Sequence, residues 1–159
     1  MNAPELWMES YQGEVLGETV FGWLAGREDD PEHKYQLQTL TRLERSTKEL
    51  AEPVFVRAGI DRGDTGATVA AALELAGAVA DMSWEEFIAG IIPITVEFLA
   101  KYRQLVELAV DDFERQIAEA YVAHEEALAS FARRAIGQEA GEPLELILAL
   151  PHMALAASG

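Results

Sequence analysis

The pattern of hydrophobic and polar positions divides the chain into long helices separated by short polar turns. In the first predicted helix, the positions expected to face inward recur at steps of three and four, as on one face of a helix. These inward positions are Trp7, Tyr11, Glu14, Glu18, Phe21 and Ala25. Two carboxylates are therefore expected to point into the core, where an ionised carboxylate is costly unless it is paired, protonated or bound to a metal.

Capping residues indicate where the other helices begin and end. Asp30 followed by proline indicates the start of the second helix, and Ser83 with Glu86 three residues later is a capping box that opens the fourth. Asp111 or Asp112 is expected to cap the fifth, which Gly137 should end. Since no strand pattern stands out, we expect an all-α fold.

The predicted arrangement is a single helical domain over residues 1–159, because a chain of 159 residues suits one core. Four long helices would form a bundle over about residues 4–136. The alanine-rich segment that follows the Ala58–Asp64 loop would be an additional helix crossing between the two halves. The apolar tail, residues 137–159, is expected to dock on the bundle or on a partner subunit.

Composition narrows the classes of partner. The chain has 12 basic and 28 acidic residues, a formal charge of −16, which argues against binding to nucleic acid or to an anionic membrane. It has no cysteine, which excludes disulfides and thiolate chemistry. No apolar run approaches the roughly 18 residues of a membrane span. We expect a soluble cytoplasmic protein and, because exposed apolar tails tend to find partners, a homodimer.

Several of the inward polar residues are predicted to lie at one depth. Glu14 lies about 15 residues before the turn near Asp29 and Glu44 about 15 residues after it, roughly 22 Å down each helix at 1.5 Å per residue. Glu97 and His124 lie about 13 and 14 residues from the second turn, again near mid-depth. We therefore expect a polar layer built on Glu14, Glu44 and His124. Other candidates for the layer or its edges are Glu18, Thr47, Glu97, Tyr121 and Glu125.

This layer resembles the metal site of the ferritin-like superfamily, particularly the rubrerythrin type, in which four helices carry a carboxylate-bridged di-iron site. The segment QGEVLGETVFGWLA is similar to the family's first helix, with Glu14 as the ligand. The segment LERSTKE is similar to the Glu-x-x-His element of the second helix, with Glu44 in place and Thr47 where the histidine belongs. The resemblance covers about residues 5–136.

The resemblance extends to the last two helices of the predicted bundle. The segment YVAHEEALASFA is similar to the family's fourth-helix element, with His124 in place and Tyr121 where the glutamate belongs. Glu97 is the nearest counterpart of the third-helix glutamate. The family's site takes six protein ligands, of which this chain offers half of each Glu-x-x-His pair, so one metal ion is easier to satisfy than two.

The resemblance implies a non-haem iron or manganese oxidoreductase. Its metal ligands would be Glu14, Glu44, Glu97 and His124, with Glu125 as a further candidate. Its candidate catalytic residues would be Tyr121, as a donor of a proton or an electron, and Glu18.

Other interpretations of the same residues stay open. Glu97 can pair with Lys101 on a solvated helix face, and His124 can donate to Glu44 as a structural core histidine. The bundle can then be metal-free, with a central cavity that binds a small molecule. It can also be a dimeric interaction or structural module in which the polar layer specifies how the helices pair.

Overall fold

The protein consists of helices throughout the part of the chain that this computed structural model describes, which is residues 1–158, with side chains through residue 154. No strand occurs in that part, so the all-α prediction is confirmed. The helices are α1 (Ala3–Ala25), α2 (Pro31–Ala58), α3 (Thr65–Val79), α4 (Trp84–Leu108), α5 (Asp112–Ala135), α6 (Glu145–Leu148) and α7 (Pro151–Ser158).

The predicted helix starts agree with the structure because capping side chains lie at them. The side chain of Asp30 accepts backbone N–H bonds at the start of α2, and Ser83 and Asp111 do the same for α4 and α5. Each bond satisfies a backbone donor that the first turn of a helix leaves without a partner. At the end of α2, Gly59 takes a left-handed conformation with φ of 64°, which glycine adopts at little cost.

The four long helices pack as two pairs that lie against each other. The helix α1 packs on α2 and α4 packs on α5, while α1 also contacts α4 and α2 contacts α5. The helix α3, which connects the two pairs along the chain, packs along α1. As a result of this packing, one face of each long helix is directed towards a common interior.

The interior of the four long helices has two large apolar clusters with polar residues between them, and a smaller third cluster of Val20, Ala72 and Ala76 packs α3 on α1. The first cluster includes Phe21, Leu40 and Phe131, and the second includes Trp7 and Phe55. On the long helices, a buried polar residue lies along the sequence between residues of the two clusters. These residues are Ser10 and Glu14 on α1, Glu44, Ser46 and Thr47 on α2, Thr95 on α4, and His124 and Glu125 on α5.

The tail docks on the bundle of its own chain, which is one of the two arrangements expected from the sequence. Its short helix α6 packs on α5, and α7 packs on α2. Leu144, Ile147, Leu150 and Met153 are buried in the first apolar cluster. Through residue 158, none of the helices combines the length and the hydropathy of a membrane-crossing segment.

Candidate functional site

Three buried side chains from three helices converge between the two apolar clusters. Glu14 is 1% exposed, Glu44 4% and His124 1%, and one ligand atom from each lies within 4.8 Å of the others. The Nδ1 atom of His124 is 3.5 Å from Oε1 of Glu14, and its Nε2 atom is 3.5 Å from Oε2 of Glu44. The structure thus brings together the three residues on which the predicted layer was built.

The polar atoms of this cluster are poorly satisfied by the protein itself. Separations of 3.5 Å exceed the usual range of about 2.7–3.2 Å for N–H···O hydrogen bonds. Among the side chains of residues 1–154, none forms a hydrogen bond with Oε2 of Glu14 or with either ring nitrogen of His124. Leaving a buried polar group without a partner costs about 1–3 kcal/mol of folding free energy. A metal ion, a ligand or a water molecule bound by these atoms would therefore stabilise the folded protein.

Two tyrosines flank the cluster. The hydroxyl of Tyr102 donates to Oε1 of Glu14 over 3.1 Å. Tyr121 is fully buried, and its ring packs edge-on against the rings of Trp7 and Tyr102. Its hydroxyl has no hydrogen-bond partner among the described side chains. Burial, together with the nearby charge of Glu14, raises the pKa of both tyrosines well above the usual value, so both hydroxyls keep their protons.

Neighbouring carboxylates make the cluster attractive to positive charge. Burial, reinforced by repulsion from Glu44 and Glu125, raises the pKa of Glu14 well above its usual value. Burial also raises the pKa of Glu125 to about 8, although the nearby His124 opposes this rise. Burial alone would lower the pKa of His124, but Glu44 and Glu125 outweigh it and raise that pKa. Protons or a metal cation would both relieve this repulsion.

A glycine of α1 makes room for one carboxylate. A Cβ atom added at Gly17 would lie 2.8 Å from Cδ of Glu44 and 3.0 Å from its Oε1. Glycine inside a helix costs roughly 0.5–1 kcal/mol relative to alanine. The close approach of the α1 backbone to Glu44 explains why glycine stands at this position despite that cost.

Glu125 lies beside the cluster, one position after His124 on α5. It is 4% exposed, and its Oε2 atom is 3.8 Å from Nδ1 of His124. Glu125 therefore lies next to the cluster, outside the group of three ligand atoms that converge.

Glu18 does not face the interior as expected. Its carboxylate pairs with Arg45 at 2.8 Å and with Lys48 at 2.6 Å, and its side chain is 19% exposed. Burial would raise the pKa of Glu18, but the two cations outweigh it and lower that pKa. The residue lies at the edge between α1 and α2, where pairing with cations of α2 costs less than burial.

Glu97 does not reach the cluster either. Its side chain is 69% exposed and lies 3.5 Å from Nζ of Lys101, the surface pair that the sequence offered as the alternative. Thr95, two residues earlier on α4, occupies the inward position and is 1% exposed. A side chain two positions further along a helix points to nearly the opposite side, which places Glu97 in solvent.

His152 is a polar residue of the interior that the sequence analysis missed. It lies on α7 and is 8% exposed, with Nε2 2.9 Å from Oγ1 of Thr47. Since the Thr47 hydroxyl already donates to the carbonyl of Leu43, it accepts from His152. Burial, with the charge of nearby His124, lowers the pKa of His152 to about 4, so this histidine is neutral. The sequence signal that could have identified it was the single histidine of the tail, which follows the apolar run of residues 146–151.

A cavity of about 430 Å³ opens beside the cluster, with walls from α1, α3 and α4. Glu14, Glu44, Tyr102 and Glu125 line its inner end. Most of its other lining residues are apolar or glycine. The buried carboxylates therefore border a space that a small molecule can enter.

No protein-family model, curated protein or solved structure matches the chain. The ferritin-like resemblance therefore remains a prediction that rests on the segments around Glu14, Glu44 and His124.

Proposed function

We propose that this protein is a ferritin-like four-helix bundle that binds one iron or manganese ion and acts as a non-haem metal oxidoreductase. The observation that carries the proposal is the convergence of Glu14, Glu44 and His124, three buried metal-ligating side chains. Further support is that several of their polar atoms find no partner among the described side chains.

The spacing of the ligand atoms suits a small metal ion. Nitrogen and carboxylate oxygen ligands lie about 2.0–2.2 Å from a bound zinc ion, so two adjacent ligands are about 3.0–3.5 Å apart. The two ring nitrogens of His124 point away from each other, so only one of the two 3.5 Å separations can be a ligand spacing around a single ion. That distance is too long for a good hydrogen bond and close to the expected spacing of adjacent ligands. Carboxylates with one imidazole form a donor set suited to iron, manganese or zinc.

The number of ligands favours one ion over two. A di-iron site of the ferritin-like type takes six protein ligands. Here Glu14, Glu44 and His124 form the cluster, and Glu125 is the nearest further carboxylate. Glu97 and Glu18 are held by surface cations and are absent from the proposed site.

Each side chain has a distinct role in this proposal. One ring nitrogen of His124 would bind the ion, while the other would donate its N–H to the carboxylate that faces it, which fixes the orientation of the ring. Tyr102 orients Glu14 through its hydrogen bond, and Tyr121, whose ring packs edge-on against that of His124, keeps its hydroxyl protonated. A bound iron or manganese ion would supply one-electron redox chemistry.

Helix packing supports the bundle assignment. Two helical pairs, α1 with α2 and α4 with α5, lie against each other, and the segment that contains α3 joins them. A single long connection between two helical hairpins is the arrangement of ferritin-like bundles.

Metal analysis tests the proposal. Full-length protein purified without a chelating tag would be incubated anaerobically with Fe²⁺ or Mn²⁺, desalted and analysed for bound metal. We expect about one ion per chain, lost in Glu44→Ala and in His124→Ala while far-UV circular dichroism stays helical. Failure of the wild-type protein to retain either metal would contradict the proposal.

A further inference from the structure

The cavity beside the cluster is larger than metal binding requires. Its volume is about 430 Å³, whereas one water molecule occupies about 30 Å³ in the liquid. Cavities that bind small organic molecules measure about 300–1,000 Å³. The space therefore suits an organic molecule.

The walls of the cavity favour an uncharged ligand. Phe21, Val79, Ile91 and Phe98 are among its apolar lining residues. Within the described side chains, no lysine, arginine or histidine lines it, whereas four glutamates do. An anionic group placed here would lose its water without gaining a cation as partner.

Glycine keeps the wall of the cavity open on the α4 side. Gly90 lines the cavity, and a Cβ atom added there would meet no atom within 4 Å. The backbone at this position therefore accepts a Cβ atom, and a large side chain there would compete for the space of the cavity. Gly77 on α3 offers the same free space and, among the described residues, lies outside the cavity lining.

We propose that the cavity binds a neutral, mainly hydrocarbon molecule whose chain lies along the apolar walls and whose polar end reaches Glu14 and Tyr102. Binding itself needs only the cavity. That the bound molecule is the substrate of the neighbouring site rests on the proposed metal function. The polar inner end and the apolar walls together distinguish this site from a purely apolar surface groove.

Calorimetric titration with 1-octanol and octanoate tests the inference on the full chain. The two probes share a hydrocarbon tail and differ in the charge of the head group. We expect 1-octanol to bind and octanoate to bind at least about tenfold more weakly to chelator-treated protein, because no lysine, arginine or histidine of residues 1–154 lines the cavity to replace the water that the charged head group would lose. This comparison uses the wild-type protein alone and needs no variant to fold.

Two matched variants locate the binding site. Gly90→Phe is expected to weaken 1-octanol binding at least about tenfold, and Gly77→Phe to leave it within about twofold. Circular dichroism would confirm that both variants are folded. Equal binding of the two probes, unchanged affinity in Gly90→Phe, or no binding of 1-octanol by the wild type would overturn the inference.

Two further measurements separate this inference from other occupants and from the metal proposal. A wild-type dimer that becomes monomeric in Gly90→Phe would assign the cavity to a second copy of the chain and overturn the inference. Metal retention would be measured on the same samples. If the protein binds 1-octanol but retains no metal, the proposed function is contradicted and the cavity inference is supported. If it retains metal but binds no 1-octanol, the cavity inference is contradicted and the proposed function is supported.

Discussion

Glu14 and Glu18 are one helical turn apart on α1, yet they have opposite surroundings. Glu18 pairs with two cations, Arg45 and Lys48, at the edge between two helices. Glu14 is buried against Glu44 and His124, with one oxygen that has no partner among the described side chains. The two carboxylates have similar positions on the helix, and what distinguishes them is the charge of the side chains that surround each one.

The difference bears on which carboxylate serves stability and which serves function. Exposed ion pairs contribute about 0–1 kcal/mol each, so the surroundings of Glu18 are a modest structural asset. The surroundings of Glu14 are costly in the absence of a cation, since burial and like charge both raise its pKa. A costly buried group beside a cavity is the better functional candidate.

The largest expected effect is on metal binding. Glu14→Gln keeps the shape of the side chain and removes a ligand charge, so we expect metal affinity to fall on the order of 100-fold. Glu18→Gln is the matched control and should leave metal affinity within about twofold, because Glu18 lies outside the cluster. Competition with a fluorescent chelator measures both. Equal losses in the two variants would remove the distinction between them.

The next effect concerns the space that Gly17 gives to Glu44. Gly17→Ala would bring a methyl group against the Glu44 carboxylate and should lower metal affinity at least about tenfold. At Gly22 on the same helix, an added Cβ would approach Thr41 no closer than 3.5 Å, an ordinary contact. Gly22→Ala should keep metal affinity and stabilise the helix by about 0.5–1 kcal/mol. Unaltered metal binding in Gly17→Ala would contradict the proposed role of Glu44.

A smaller effect is expected where a buried polar pair is already satisfied. Thr47→Val keeps the shape of the side chain and leaves the His152 ring N–H without its acceptor. The free energy of unfolding, measured with urea, should therefore fall by about 1 kcal/mol or more. Thr41 on the same helix also donates to a backbone carbonyl, and Thr41→Val should change stability by less than about 0.5 kcal/mol. Similar values for both variants would indicate that the Thr47–His152 contact contributes nothing to stability.

The smallest effect is the pH dependence of the Glu18 pairs. The pKa of Glu18 in the folded protein lies below its usual value of 4.5 because Lys48 and Arg45 outweigh burial. Its stabilisation is therefore fully present above pH 4.5 and is lost as the pH falls through the folded pKa. The free energy of unfolding of the wild type, measured by urea unfolding, should exceed that of Glu18→Gln by about 0.5–1 kcal/mol at pH 7, and this difference should vanish in acid. A difference that persists below the folded pKa would contradict this account.

Depth along the helices could be predicted from the sequence, because the rise per residue is fixed once the turns are located. This is why counting from the turns placed Glu14, Glu44 and His124 together. Rotation about the helix axis is harder to predict. Glu14 and Glu18 differ by only about 40° around α1, and that angle is enough to move a side chain from the interior to the edge between helices.

Other features of the site depend on contacts that no local pattern contains. His152 reaches the interior after a loop and a short helix, so counting from a turn gives it no depth. Tyr102 is buried, and its partner Glu14 lies 88 positions away along the chain. Such long-range partners follow from how the helical pairs meet, which single-sequence periodicity does not specify.

The close approach at Gly17 also provides a signature for recognising relatives. A related chain with a glutamate in the place of Glu44 needs a glycine three positions after the counterpart of Glu14. A Cβ atom at that position would displace the Glu44 carboxylate. The diagnostic pattern is Glu-x-x-Gly on the first helix, followed by Glu-x-x-Thr and Tyr-x-x-His on two later helices. Sequences that share all three elements would be expected to share the site, even where the rest of the chain has diverged.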